Sequence, residues 1–105
     1  MSSRSSKPTG NDYQLAHAAT SRTLFLLMAE FGTAQIPVDR CCHHFGYGPD
    51  EAKRAAGRQQ LPVPAFRLGS QKSPWLVSAE DLATFIDNRA SEAREVWTRL
   101  RDASR

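Results

Sequence analysis

Residues 46–49, "GYGP", constrain the fold more than any other stretch of the chain. Two glycines permit a tight turn with positive φ, and Pro49 suits the first turn of a new helix. The chain is therefore cut there into two short helices. Upstream, Val38, Cys41, Cys42 and Phe45 fall at i, i+3, i+4 and i+7, which predicts one apolar stripe on a helix over 37–45. Asp39, Arg40, His43 and His44 fall outside that stripe. Downstream, Ala52, Ala55 and Ala56 make a small inward face on a helix over 49–58. Asp50, Lys53, Arg54 and Arg58 make its outward face, and Asp50 and Glu51 suit a first turn, where the helix dipole favours acids. The helix ends between Gly57 and Gln60.

The flanking segments read just as locally. Residues 1–11 are polar, rich in serine and broken by Pro8 and Gly10, which predicts a flexible tail extending to about residue 22. Residues 23–31 predict a helix with Leu24, Leu27, Met28 and Phe31 on one face, thickened by Phe25 and Leu26 and stopped by Gly32. "TAQI" is then extended. Residues 61–68 are extended too, because Pro62 and Pro64 forbid a helix there. With a loop at 69–73 and a strand at 74–77, this predicts a β-hairpin with Lys72 near its tip. Trp75, between Pro74 and Leu76, is expected in the core, closing the hairpin onto the last helix.

Ser78 is the expected N-cap of that last helix, with Asp81 at the capping-box position. The helix runs over about 78–103, with Leu82, Phe85 and Ile86 inward and Glu95 and Arg99 as an i,i+4 pair. Ile86, Ala90, Ala93, Trp97 and Leu100 are spaced 4-3-4-3. That spacing suits either a dimer seam or a stripe packed on the domain, and the dimer is preferred because one small module gives limited affinity.

Composition narrows the function. The 105 residues fit one domain, expected over 23–105. No apolar run is long enough for a membrane span and no signal peptide stands out, so a cytoplasmic location is expected, with reduced thiols. Net charge is only +3, but residues 53–77 hold five cations (Lys53, Arg54, Arg58, Arg67 and Lys72) and no acid. Such a block points to a polyanionic partner or to a solvated face. The run Cys41, Cys42, His43, His44 resembles a metal site only on paper. Consecutive helical residues point about 100° apart, so four in a row cannot converge on one ion. Only a site shared by two chains would rescue it. The cysteines are better read as core, with His43 and His44 solvated or near phosphates. No catalytic grouping or phosphate-cradling loop stands out, so no enzyme, metal, cofactor or small-molecule substrate is expected.

Helix, helix–tight turn–helix, hairpin and long helix, with a basic block on the second helix and hairpin, describe a winged helix-turn-helix. The fold expected is mainly α with a small β-hairpin. The stretches "TLFLLMAEFG", "IPVDRCCHHFG" and "LPVPAFRLGSQKSPWLVSAEDLATFID" resemble the pyocin activator family of PrtN-like transcriptional regulators. The second half also resembles excisionase and MerR-like helix-turn-helix modules.

This resemblance covers roughly residues 23–100. It implies a bacterial or prophage-encoded activator of bacteriocin or phage-tail genes, bound to double-stranded promoter or operator DNA in the nucleoid. RNA polymerase is a further partner expected of such an activator, and the 4-3-4-3 spacing adds a second copy. Lys53, Arg54 and Arg58 would face the major groove. Gln71, Lys72 and Ser73 in the wing would meet the backbone or minor groove, and Arg67 would reach a phosphate. Gln59 and Gln60 are candidate readers of adenine. Two other functions fit the same residues: an excisionase-like DNA-bending factor, and an adaptor or antirepressor that meets an acidic protein.

Overall fold

The computed structural model describes residues 22–103. The expected tail lies outside the described residues, apart from residue 22, which already belongs to helix α1 (22–31). The order continues β1 (Gln35–Pro37), α2 (Val38–Cys41, prolonged by a 3₁₀ turn at Cys42–Phe45), α3 (Pro49–Gly57), β2 (Ala65–Phe66), β3 (Leu76–Ser78) and α4 (Ala79–Ala103). This is the expected helix-turn-helix with a wing and a long C-terminal helix.

The turn forms as the glycines require. Gly46 closes the 3₁₀ segment with φ +79°; its N–H donates to the His43 carbonyl at 3.2 Å, and the Tyr47 N–H donates to the Cys42 carbonyl at 3.2 Å. Gly48 leads into Pro49 at the first turn of α3.

The sheet differs from the expected hairpin. It has three antiparallel strands in the order β1-β3-β2. Ile36 faces Val77 in register on one side, and Ala65 faces Val77 on the other. The extended "TAQI" stretch thus joins the sheet through Gln35 and Ile36, because the β3 backbone needs partners on both of its edges. The hairpin strands are also shorter than expected. Pro62 and Pro64 carry no N–H, so 61–64 is irregular, although Leu61 and Val63 are buried.

The core collects Ile36, Val38, Cys41, Ala52, Ala56, Val77, Ala79, Leu82 and Ala83, with Leu27 and Phe31 from α1. Only part of the apolar face expected on α1 is used. Met28 is 41% exposed, and Phe25 and Leu26 are more so. A helix lying on a small core buries one narrow stripe, here Leu24, Leu27 and Phe31. The Thr23 hydroxyl donates to the Asp87 carboxylate at 2.7 Å and ties α1 to α4. Phe45 and Phe85 stack obliquely, 5.4 Å between centroids.

Helix α4 is capped by Ser78, whose hydroxyl accepts from the Glu80 N–H at 3.1 Å. An ion pair on α4 joins Arg89 and Glu92 at 3.6 Å, nearer the domain than the expected Glu95–Arg99 pair. From residue 91 onward every described side chain on α4 is exposed. The helix therefore extends roughly 20 Å beyond the packed body. The expected stripe is not laid on the domain: Ile86 and Ala90 are half-buried, whereas Ala93, Trp97 and Leu100 are exposed.

Gly46→Ala has free space for its methyl group, so its cost is purely that of the backbone. We expect it to lower unfolding free energy by about 1–2 kcal/mol, with Gly46→Asn costing less. Urea denaturation of both variants checks this.

Candidate nucleic-acid interface

The three inward alanines seat α3 closely against the core and leave every long side chain on it outside. Asp50, Glu51, Lys53, Arg54 and Arg58 are all exposed. Successive helical residues turn by about 100°, so Lys53 and Arg54 lean to opposite sides of the outer face.

The structure accordingly divides the expected contact residues into two groups. Lys53 joins Arg67, Gln71, Lys72 and Ser73 in a cleft of about 260 Å³ between α3 and the wing, together with Asp39 and Trp75. Arg54 and Arg58 line a separate depression of about 270 Å³ with Tyr47, Glu51 and Gln60. Lys53 Nζ lies 3.9 Å from an Asp39 carboxylate oxygen. Glu51 puts one acid beside the two arginines.

The wing tip is shaped by its own backbone. The Ser73 N–H donates to the Ser70 carbonyl at 2.9 Å, and the Lys72 N–H donates to the Ser70 hydroxyl at 3.2 Å. A methyl group at Gly69 would lie 2.6 Å from the Ser73 hydroxyl, so any larger residue there would turn the Ser73 side chain aside. Gln71 and Lys72 are thereby presented to solvent. Arg67, at the base of the wing, is half-buried, with its guanidinium carbon 4.3 Å from the centre of the Trp75 ring.

Trp75 is half-buried and packs against the core, as expected. It precedes the paired residues of β3, and its carbonyl accepts from the Val38 N–H at 2.9 Å, which draws it toward the helix-turn-helix. A methyl group added at Gly57 of α3 would lie 4.0 Å from the Trp75 ring.

Gln59 is not presented to a base edge. It adopts a left-handed conformation, φ +54°, just past the end of α3. Its side-chain amide donates to the Ala65 carbonyl at 2.9 Å and accepts the Ala65 N–H at 3.3 Å. It takes the place of a neighbouring strand along β2. Nothing in the sequence marks this role, since glycine or asparagine is the usual residue in that conformation.

The cysteine–histidine run is dispersed as geometry requires. Cys41 and Cys42 are buried free thiols. Burial, with Cys42 next to it, pushes the Cys41 thiol up to about 11, so it stays protonated. His43 is exposed. His44 is half-buried and packs edge-on against Phe31 at 6.3 Å, rather than lying in solvent. Burial and the neighbouring His43 ring, 4.3 Å away, lower its affinity for a proton. Among the described residues no three histidines, cysteines or carboxylates are grouped to hold a metal ion. No helix among them is long and apolar enough to cross a membrane.

A family model described as pyocin activator protein PrtN matches residues 23–93, which is most of the chain. The chain belongs to the pyocin activator family. Membership makes it a regulator of the pyocin-activator kind, and the family is not an enzyme class. No curated protein and no solved structure is significantly similar to it. The segment shared with the pyocin activators takes in α1, the helix-turn-helix, the wing and the inner part of α4. It stops at Ala93, short of Trp97 and Leu100.

The burial of Cys41 predicts silence toward thiol reagents. In the native protein at pH 8 both cysteines should label slowly, and in denaturant at once. Cys41→Ala should cost about 1–3 kcal/mol by urea denaturation, for the loss of packed volume.

Proposed function

We propose that this pyocin activator family member is a sequence-specific, double-stranded-DNA-binding activator that enters the major groove with α3 and lays its wing along the flanking backbone. The observation that carries this is the cleft in which Lys53 of α3 meets Arg67, Gln71, Lys72 and Ser73 of the wing. Helix and wing therefore bring cations from two segments of the sequence into one cleft, with Asp39 among them.

The major groove, about 12 Å wide, admits a helix such as α3. Arg54 and Arg58 stand one turn apart on its exposed side, and each guanidinium can read guanine through two parallel hydrogen bonds. Lys53 and the wing residues suit phosphates. Family membership supports activation as the outcome of binding. The target genes would be those of bacteriocin or phage-tail type, reached in the cytoplasm.

A bidentate arginine contact contributes about 1–3 kcal/mol of discrimination. Arg54→Ala with Arg58→Ala should therefore weaken binding to the promoter by roughly 30- to 10,000-fold. Binding should also fall steeply with salt through counterion release. Unchanged affinity, measured by fluorescence anisotropy, would remove α3 as the reading helix. Duplex binding at only the non-specific level would favour a protein-binding adaptor. Strong bending of an attachment site without promoter activation would favour an excisionase-like role.

We further propose that the protein works as a homodimer joined through α4. Ile86, Ala90, Ala93, Trp97 and Leu100 continue outward along the helical face that buries Ala79, Leu82 and Ala83 in the domain. A stripe at 4-3-4-3 spacing on a projecting helix fits a second copy of the same helix. Trp97 is 58% and Leu100 65% exposed, which leaves a large apolar area for that contact. Val96 and the Arg101 guanidinium, 4.7 Å over the Trp97 ring, flank it. Trp97→Glu with Leu100→Glu should convert a dimer to a monomer in sedimentation velocity with little change in helix content. A monomeric unmodified chain at micromolar concentration would overturn the seam.

A further inference from the structure

The cleft between α3 and the wing holds an arrangement that a generally basic surface does not require. Arg67 rests on Trp75, and its Nε is buried without a hydrogen-bond partner. A cationic donor left unmet away from water is costly, and the half-buried guanidinium side chain still lines the cleft, where an acceptor from outside can reach its remaining N–H groups. Lys53 lines the same cleft and is engaged with Asp39 at 3.9 Å, and their side chains are 54% and 44% exposed. Such an exposed pair contributes little and is easily exchanged. Lys72, Gln71 and Ser73 complete the wall on the wing side. Three cations and one carboxylate thus surround a space of about 260 Å³, ample for one tetrahedral oxyanion.

Resting on the reading of α3 and the wing as the DNA surface, we propose that this cleft seats one backbone phosphate, held by Arg67 and Lys53, and that Asp39 is a built-in competitor for Lys53 that limits how tightly the phosphate is bound. Between a helix in the major groove and a wing beside it, a strand of the duplex has to pass, and the cleft lies on that line. Trp75 is a positioning residue. Its ring holds the guanidinium by its face and leaves the N–H edges for the phosphate oxygens. When the phosphate enters, Lys53 exchanges a carboxylate oxygen for a phosphate oxygen. Asp39 remains beside the anion and repels it. Because a phosphate carries no base information, Arg67 and Asp39 act equally on operator and random duplex.

The affinity of the full chain for a promoter duplex and for a random duplex, measured against salt concentration by anisotropy, tests this. Arg67→Gln should weaken both by a similar factor, about 5- to 30-fold, and reduce the salt slope by about 1. Asp39→Asn should strengthen both by about 2- to 10-fold. In a Trp97→Phe background Trp75 is the sole tryptophan, and its emission should change on binding either duplex. Arg67→Lys, which keeps the charge, should retain the salt slope and lose part of the affinity; it serves if thermal melting shows Arg67→Gln to be unfolded. An unchanged salt slope for Arg67→Gln, a loss confined to the promoter duplex, or an Asp39→Asn variant no tighter than the parent would each overturn the seat. No duplex binding by the unmodified chain would overturn the DNA reading as well. Binding that ignores both Arg67 and Asp39 would overturn the seat alone.

Discussion

The structure depends on strand β3. Its three residues are paired on one side with β1, just before the helix-turn-helix, and two of them, Leu76 and Val77, on the other with β2, at the base of the wing. Its last residue caps α4. Two further backbone bonds extend the clamp at its ends, Val38 N–H to the Trp75 carbonyl and Ala79 N–H to the Ala34 carbonyl. Val77 at its centre is fully buried, so its backbone groups have no water to fall back on and must be met by their neighbours. One short strand thereby sets the position of the wing relative to α3.

The second constraint is the alanine face of α3. Ala52, Ala55 and Ala56 bury little apolar area, but they let the helix approach α2 and the wing closely. The outer face is consequently free to hold charge of both signs. Lys53 is turned toward the wing and Asp39, while Arg54 and Arg58 are turned away with Glu51. The interface is therefore more finely divided than a count of cations suggests, with acids set among the bases on both sides.

Much of the fold was legible locally. The glycine turn, the stripe of Val38, Cys41 and Cys42, the alanine face and the cap at Ser78 each follow from neighbours within a few residues. What was not legible depends on distant partners. "TAQI" joined the sheet only because β3 lay beside it. Met28 missed the core because the body beneath α1 is narrow. Gln59 left the helix to satisfy the Ala65 backbone, a role that no propensity signals. Of the candidate site, the identity of the basic residues could be read in advance. Their division between two faces, the Arg67–Trp75 contact and the presence of Asp39 in the same cleft could not.

Local pattern alone decided that this chain makes short helices across a tight turn, places its cysteines in the core and gathers cations in residues 53–77. It could do so because helical periodicity, glycine turns and capping act over a few residues. Tertiary structure alone decided which cations share a cleft, which strand lies at the centre of the sheet, and that the outer part of α4 leaves the body with its apolar stripe uncovered. Those outcomes depend on backbone pairing and burial between segments a dozen or more residues apart, from Ala65 with Val77 to Gln35 with Ser78, and periodicity carries no record of them.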